Sequence, residues 1–245
     1  METEHWPKIG IVPAPPPYPS VTAISRGEPE PLRKVVCSAF EDAMAERGRL
    51  REDAYRVHGF SGRKFRLFMN NLLSDLPDPR YLEIGLFHGA SFCSAVYKNK
   101  GRAVGIDNWT EYGGKPDVFH NNLKMFADEG ADIEIIENDF RKVDYKAIGK
   151  FNVLFYDGSH DEKDQYDGVI IPQVALDDTA ILIIDDWNWH RVRRGTLNAL
   201  KDSNWRIDYS IEVRTSFGDN IPLVHGSTSE WHNGCIVAVI AKNQA

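Results

Sequence analysis

The sequence predicts an α/β protein with a mostly parallel sheet and helices on both faces. Segments of strand character alternate with helical segments from Arg80 to Lys242, the order that builds parallel sheets. The stretch Tyr81–Gly89, YLEIGLFHG, has the pattern of a strand, a glycine turn and the start of a helix. Several later strands run into aspartate. Because parallel strands end at one edge of a sheet, we expect the ligand site at that edge.

Composition indicates one such domain with an extension and excludes several classes of protein. The 245 residues, 42% of them hydrophobic, are enough for one well-packed core. A net charge of −7 gives no broad basic field, so we expect no nucleic-acid partner. Three distant cysteines, Cys37, Cys93 and Cys235, argue against a disulfide framework and a structural zinc site.

The chain shows no signal for export or membrane insertion. Its first ten residues, METEHWPKIG, lack the basic and apolar regions of a signal peptide. No run of about 18 apolar residues follows anywhere. We therefore expect a soluble, cytoplasmic protein with no membrane partner.

The N-terminal third predicts an arm followed by two helices. Residues 1–30 are proline-rich, with APPPYP at Ala14–Pro19, and suit a disordered tail, a strap over a second subunit or a polyproline II ligand. Residues 31–78 contain apolar residues at helical spacing, from Pro31 and again after Ser61. These helices suit packing onto the edge of the sheet. The main domain is expected over residues 79–245.

The glycine turn disfavours a dinucleotide. Its spacing is Glu83, Gly85, Gly89, without the GxGxxG that places a pyrophosphate on a helix N-terminus. An acid on the strand would repel a pyrophosphate but could pair with a cationic amino acid group. Glycine lets a ligand approach the backbone where no side chain intervenes.

Seven strands are predicted in total, five of them separated by helices and the last two forming an antiparallel hairpin. After the first, the strands are Ala103–Trp109, Ile133–Asn138, Phe151–Tyr156, Ala180–Ile184, Trp205–Thr215 and Gly234–Lys242. The helices between them are expected over residues 90–97, 117–127, 162–176, ending or kinking near Pro172, and 192–201. Asp107, in the second strand, either accepts both hydroxyls of a ribose or starts a turn before Asn108.

This order, with its acid-terminated strands, resembles the Rossmann-like sheet of class I S-adenosylmethionine-dependent methyltransferases. Within that superfamily the chain is similar to the macrocin and cephalosporin-type O-methyltransferases and, more distantly, to catechol O-methyltransferase. The resemblance implies S-adenosylmethionine as cosubstrate. For the two helices in residues 31–78, it implies a lid over the cofactor or a contact with a second copy in a homodimer, as alternatives to packing on the sheet. It places the amino acid half of the cofactor at Glu83, Gly85 and Gly89, the ribose at Asp107, and the adenine at Asp139 and Phe140. Asn108 and Asp157 also belong to the expected cofactor site. A turn or helix cap explains Asp139 equally well.

Three carboxylates at strand ends suggest a metal. A hydroxyl must lose its proton to attack a sulfonium methyl, and a divalent cation lowers its pKa and fixes the approach. Mg²⁺ prefers oxygen ligands, and Asp157, Asp185 and Asp186 supply them. The catechol enzyme has Asn at the last of these places, so Asp186 either strengthens the site or caps the next helix.

His160, three residues beyond Asp157, is the candidate base because histidine titrates near neutral pH. The alternatives are a helix-start histidine that bonds a neighbouring carboxylate or ligates the metal. His190 is a second candidate. The cluster Trp187-Asn188-Trp189 either lines the acceptor pocket or belongs to the core.

Together these features predict an S-adenosylmethionine-dependent O-methyltransferase, assisted by Mg²⁺, acting on a hydroxyl of a small molecule such as a sugar or secondary metabolite. A metal-independent methyltransferase and a noncatalytic S-adenosylmethionine-binding protein are the alternatives. Acceptor specificity is expected in the arm, the first helices and the loop Ser216–Asn233.

Overall fold

The computed structural model describes residues 19–26, 31–128 and 131–243. The strands are β1 (Ser20–Ser25), β2 (Arg80–Ile84), β3 (Arg102–Asp107), β4 (Asp132–Glu137), β5 (Phe151–Tyr156), β6 (Leu176–Asp185), β7 (Trp205–Arg214) and β8 (Cys235–Lys242). The helices are α1 (Pro31–Met44), α2 (Arg63–Asp75), α3 (Ala90–Val96), α4 (Pro116–Phe126), α5 (Glu162–Ile170) and α6 (His190–Lys201). Short 3₁₀ turns lie at 54–56, 140–142, 172–175 and 226–228.

All of these strands belong to one sheet, in the order β1-β7-β8-β6-β5-β2-β3-β4. The pairs β5–β6, β2–β5, β2–β3 and β3–β4 are parallel. The pairs β6–β8 and β7–β8 are antiparallel, so the predicted mostly parallel sheet with a C-terminal antiparallel hairpin is confirmed. The carboxyl ends of the five parallel strands therefore lie along one edge.

The sheet has one strand more than the seven predicted. Strand β1 pairs antiparallel with β7 over six residues and lies inside the segment predicted to be a proline-rich arm. Its residues are mostly exposed, and its sequence, SVTAIS, has no buried face that would mark a strand. Pairing with the edge of β7 therefore forms this strand. The rest of the predicted arm, residues 1–18 and 27–30, lies outside the described residues.

Helices cover both faces of the sheet, as predicted. One core contains side chains of α1, α2 and α3 packed on Tyr81, Val153 and Ile183 of the sheet. The other contains side chains of α5 and α6 packed on Leu82, Leu154 and Ile184. Alternate residues of β2 and β5 enter opposite cores, as the period of a strand requires. The N-terminal helices thus pack on the sheet itself.

The largest boundary difference concerns the end of the helix predicted over residues 162–176. Helix α5 ends at Ile170, a 3₁₀ turn begins at Pro172, and β6 starts at Leu176, four residues earlier than predicted. Two aspartates near the start of β6 resemble a turn in sequence. In the structure Asp177 pairs with Arg80 and Asp178 with Lys242, so both extend the strand.

The described part of the chain has six α-helices. None of its helices combines the length and the apolar character needed to cross a bilayer.

Gly85 joins the ends of β2 and β5. Its backbone has φ +96°, and a Cβ atom there would lie 2.0 Å from the carbonyl oxygen of Asp157. The residue therefore has to be glycine for two reasons, the left-handed backbone and the close contact between two strand ends. Gly113 has φ +68° with nothing within 4 Å of its missing Cβ, so it meets only the first of these requirements.

We expect Gly85→Ala to lower the free energy of unfolding by about 3 kcal/mol or more, because the methyl group meets backbone that cannot move independently. Gly113→Ala, the matched control, should cost only about 1 kcal/mol for its positive φ. Chemical denaturation of both variants measures the difference. Equal costs at the two positions would contradict the packing role assigned to Gly85.

Candidate active site

A cavity of 520 Å³ opens at the carboxyl edge of the parallel strands. Its walls come from the turns after β2, β3, β4, β5 and β6, from the loop before α2 and from the loop between β7 and β8. Among the residues predicted for the site, its lining includes Gly85, Asp107, Asn108, Asp139, Phe140, Asp157, His160, Asp185 and Asp186. The sheet thus brings nearly all of the predicted residues to one place.

Asp107 holds the glycine turn. One of its carboxylate oxygens accepts hydrogen bonds from the backbone amides of Leu86 and Phe87, at 2.7 and 2.8 Å. The other accepts from the amide of Trp109 at 2.7 Å, which is the turn alternative considered for this residue. Because Asp107 also lines the cavity, its contact with a ribose stays a prediction. Asn108 likewise organises a turn, since its side-chain oxygen accepts from the amide and hydroxyl of Thr110.

Glu83 and Gly89 lie behind the cavity wall. Glu83 is fully buried, and its carboxyl accepts hydrogen bonds from the hydroxyls of Tyr81 and Ser91. Burial raises the pKa of Glu83 to about 8. Gly89 begins α3 at φ +89°, where a Cβ would meet Cys93 and Phe119. Both residues therefore support the glycine turn from inside the protein, and the predicted contact of Glu83 with an ammonium remains a prediction.

The turn after β4 forms the far end of the cavity. Asp139 accepts a hydrogen bond from the amide of Arg141 at 3.0 Å and so caps the short 3₁₀ turn, the alternative considered for it. Phe140 packs edge-to-face on Tyr156 with ring centroids 5.7 Å apart. This leaves an aromatic side chain beside the cavity, where it suits the face of a planar base.

Two carboxyl groups meet at the ends of β5 and β6. Asp157 follows β5 and Asp185 ends β6, and the two carboxyls lie close enough to repel each other. Withdrawal from water, followed by repulsion from neighbouring acids, raises the pKa of both well above the usual range. A pair of this kind is costly to ionise unless a proton or a cation lies between its members.

Asp186 has the opposite electrostatic character. Although burial favours its neutral form, the hydrogen bond and charge of His160 hold the pKa of Asp186 below its usual range. His160 Nε2 lies 2.8 Å from one carboxylate oxygen, and Asn233 donates to the other at 2.8 Å. Asp186 is held at φ +55°, an unusual backbone for a residue other than glycine. Oxygen or nitrogen atoms of Asp157, His160 and Asp186 all lie within 4.8 Å of one another.

A second histidine near Asp186, His232, is not among the site residues predicted from the sequence. Its Nε2 lies 3.9 Å from Asp186, and burial lowers the pKa of His232 to about 4. Its place follows from the pairing of β6 with β8, in which Asp185 is opposite Cys235. The residues just before β8 therefore lie beside those just after β6. That antiparallel pairing was predictable, and it is the signal that could have identified Asn233 and His232.

Aromatic rings surround the space in front of Asp186. We call this set the aromatic enclosure; successive ring centroids lie 5.0 to 6.5 Å apart, in the order Trp189, His160, Tyr112, Phe60 and His232. Asp186 lies between the two histidines of this set, 2.8 Å from His160 and 3.9 Å from His232. Phe60 and Tyr112 are 48% and 66% exposed, so large apolar surfaces remain open at the cavity rim.

A buried arginine holds the loop that carries Phe60. The guanidinium of Arg66 donates to the backbone oxygens of Ala54, Val57 and Ser61 and to the hydroxyl of Ser61. Burial without an acid partner lowers the pKa of Arg66 to about 10. The first helices thus contribute to the cavity through this loop, because α2 begins directly after it.

The residues from Trp187 to His190 have different positions, and only one of them lines the cavity. Trp187 is buried in the core, where its indole donates to Glu212 at 2.9 Å, and Asn188 is buried and bonds Thr215 and Asn233. Trp189 faces the cavity. His190 is exposed at the start of α6 and does not line the cavity, which leaves His160 as the better placed base.

Comparison with known proteins identifies the domain. Residues 82–187, from β2 through the end of β6, match the model of a methyltransferase domain family. These residues are a methyltransferase domain. The match confirms the predicted methyltransferase for these residues, and the sheet confirms the predicted Rossmann-like fold. A search of curated protein sequences finds no significant match to the chain.

Solved structures support the fold of the methyltransferase over nearly its whole length. An S-adenosylhomocysteine-bound methyltransferase of Podospora anserina is similar with a TM-score of 0.52 and 16% identity, covering 90% of this chain and 91% of that one. An O-methyltransferase of Bacillus cereus, in complex with S-adenosylhomocysteine, is similar with a TM-score of 0.50 and 13% identity, covering 84% and 90%. At these identities the likeness concerns the fold.

The protein should lose stability as Glu83 ionises. Because the native pKa of Glu83 lies above the ordinary 4.5, the folded state holds its proton while the unfolded state releases it. Between about pH 5 and pH 8 the free energy of unfolding of the wild type should therefore fall relative to Glu83→Gln, by up to about 1.4 kcal/mol per pH unit.

Urea denaturation of wild type and variant across this range measures the effect. Glu134→Gln, which removes an exposed carboxylate from β4, serves as the control and should show no such divergence. Parallel stability curves for the wild type and Glu83→Gln would contradict the assignment of a neutral, buried Glu83.

Proposed function

We propose that this protein is an S-adenosylmethionine-dependent O-methyltransferase that methylates a hydroxyl of a small molecule. The observation that carries the proposal is the pairing of His160 with the ionised Asp186 at 2.8 Å, inside the cavity of a methyltransferase domain. A pair of this kind is suited to remove the proton of an acceptor hydroxyl.

The cofactor half of the cavity would run from the glycine turn to Phe140. Asp107 is the proposed ribose acceptor, because its carboxylate lines the cavity while its amide contacts fix its orientation. Phe140 lines the cavity and is the proposed contact for adenine. The structures from Podospora anserina and Bacillus cereus contain S-adenosylhomocysteine, the product of such a reaction, on the same fold.

The base would act through its second nitrogen. Since the ionised Asp186 can only accept, His160 Nε2 carries the proton of their hydrogen bond and Nδ1 keeps the lone pair. The acceptor hydroxyl gives its proton to Nδ1, and its oxygen forms the new bond to the methyl carbon. The bond from that carbon to sulfur breaks, and its electron pair stays on sulfur. Asp186 stabilises the resulting imidazolium.

A divalent cation fits the same cluster. Asp157 and Asp185 are paired carboxyls that ionise readily only beside a positive charge, and Asp186 lies next to them. We propose Mg²⁺ as the ion, with the three aspartates predicted from the sequence as its ligands, because it prefers such oxygen atoms. When bound it would lower the pKa of the acceptor hydroxyl. The mutually close donor atoms include His160 in place of Asp185, so the histidine is either base or ligand.

The acceptor would lie in the aromatic enclosure. Ring faces pack well on an aromatic acceptor or on the apolar face of a sugar ring, and both are small molecules of the predicted class. Ile221 and His225 of the loop between β7 and β8 also line the cavity, which supports that loop as a determinant of specificity. A cytoplasmic location and a homodimer remain predictions of the sequence.

Cofactor binding provides the first test of the proposal. In titration calorimetry we expect S-adenosylhomocysteine to bind the wild type, and Asp107→Ala to weaken it at least about tenfold, or 1.4 kcal/mol. The variant loses both the ribose acceptor and the anchor of the Leu86 and Phe87 amides. Asp178→Ala, at the opposite end of β6, is the control and should bind normally. Folded wild type without detectable binding would refute the proposed function.

Metal dependence is tested separately, by methyl transfer before and after chelation. We expect chelation and Asp185→Asn each to lower turnover roughly 100-fold, with recovery of the chelated wild type on adding Mg²⁺. Asp161→Asn removes an exposed carboxylate near the cluster and should retain turnover. Unchanged turnover after chelation and in Asp185→Asn would leave a metal-independent methyltransferase that relies on His160 and Asp186.

A further inference from the structure

The loop between β7 and β8 holds the ring of His232 in one orientation. Its Nδ1 accepts a hydrogen bond from the amide of Gly226 at 2.8 Å. Its backbone is fixed as well, because its amide donates to Ser229 at 2.9 Å and its carbonyl accepts from Thr215 at 2.7 Å. The residue has φ +45° and its side chain is only 12% exposed. The imidazole is therefore held from the side away from the cavity.

This contact decides which nitrogen carries the proton. A backbone N–H can only donate, so Nδ1 must offer its lone pair and Nε2 bears the hydrogen. The nearest carboxylate oxygen, on Asp186, lies 3.9 Å from Nε2, beyond hydrogen-bond distance. That oxygen already accepts from Asn233 at 2.8 Å. His232 thus presents a donor to the cavity that no described residue accepts at bonding distance.

The two histidines flank one carboxylate with different roles. His160 bonds one oxygen of Asp186 directly, whereas His232 stands off from the other oxygen and lines the cavity. A hydrogen bond donated to the reacting oxygen would stabilise its negative charge and so lower its reactivity toward the methyl group. A donor beside the base is better matched to another oxygen of the same molecule.

We propose that His232 is an acceptor-binding residue that donates its Nε2–H to a second oxygen of the substrate, besides the hydroxyl that is methylated. This inference rests on the proposed function and deepens it. It limits the acceptors to small molecules with at least two oxygens, such as diols, hydroxy ethers or hydroxy carbonyl compounds. It also gives the loop between β7 and β8 a direct part in choosing the acceptor.

Two substitutions of His232 distinguish a role in binding the acceptor from a role in stabilising the loop between β7 and β8. His232→Asn keeps an acceptor near Nδ1 for the Gly226 amide and tolerates the positive φ, but it lacks the distant donor. His232→Gln can extend an amide N–H to about the position of Nε2. A merely structural histidine would show changes in melting temperature and in affinity for S-adenosylhomocysteine.

The acceptor probes are catechol, which has a second oxygen, and phenol, which lacks one. We expect the wild type to methylate catechol with kcat/KM at least about tenfold above phenol, a difference typical of one well-placed polar contact. His232→Asn should bring this ratio close to one, mainly through the KM for catechol, with unchanged melting temperature and S-adenosylhomocysteine affinity. His232→Gln should restore part of the preference.

An unchanged ratio in His232→Asn, or equal loss of thermal stability and cofactor affinity, would overturn the inference while leaving the methyltransferase assignment intact. If neither probe is methylated, ¹⁵N spectra of the histidine rings decide. A proton on Nε2 of His232 that shifts when catechol is added supports the inference. A proton on Nδ1, or no shift, overturns it. Absence of S-adenosylhomocysteine binding in the wild type would instead refute the proposed function itself.

Discussion

The carboxylate of Asp186 joins three parts of the chain that are distant in sequence. It follows β6, accepts a hydrogen bond from His160 after β5, and accepts another from Asn233 before β8. These contacts hold an ionised acid in a buried place, and they hold its backbone at a positive φ. Asp186 thus connects the turns after β5 and β6 with the turn before β8 at one end of the cavity.

The same cluster combines acids of opposite character. Asp186 is stabilised as an anion by its donors, whereas burial and mutual repulsion raise the pKa of Asp157 and Asp185. Titratable groups pushed in opposite directions within one site are a common sign of acid–base or metal chemistry. At the other end of the cavity, the carboxylate of Asp107 accepts hydrogen bonds from three backbone amides. On the proposed function, cofactor binding and proton transfer would use different strand ends of one sheet.

Much of this arrangement follows from the sequence, for a simple reason. Strand and helix periods are local, and parallel strands must end at one edge, so the convergence of Asp107, Asp157 and Asp185 could be predicted from their places at strand ends. The edge strand β1 could not be predicted, because its exposed residues form a strand only by pairing with β7. His232 is a loop residue whose position depends on the register of β8 against β6.

For Glu83, the sequence predicts the position on the strand but not the surroundings of the side chain. Its position on β2 was predicted, but its exclusion from the cavity depends on the hydroxyls of Tyr81 and Ser91. Tyr81 is two residues away on the same face of the strand, so a partner there was foreseeable from the period of two. Ser91 reaches it from α3, a tertiary contact without a local signal. Asp107 and Asp139 likewise took the turn and cap roles that had been left open, and both still face the cavity.

The account depends most on where the cofactor lies relative to Asp186. A crystal structure of the protein with S-adenosylhomocysteine tests this directly. We predict the ribose at Asp107, the adenine against Phe140, and the sulfur facing the space in front of His160 and Asp186. A ligand bound outside this cavity, or one whose sulfur points away from that pair, would contradict the account.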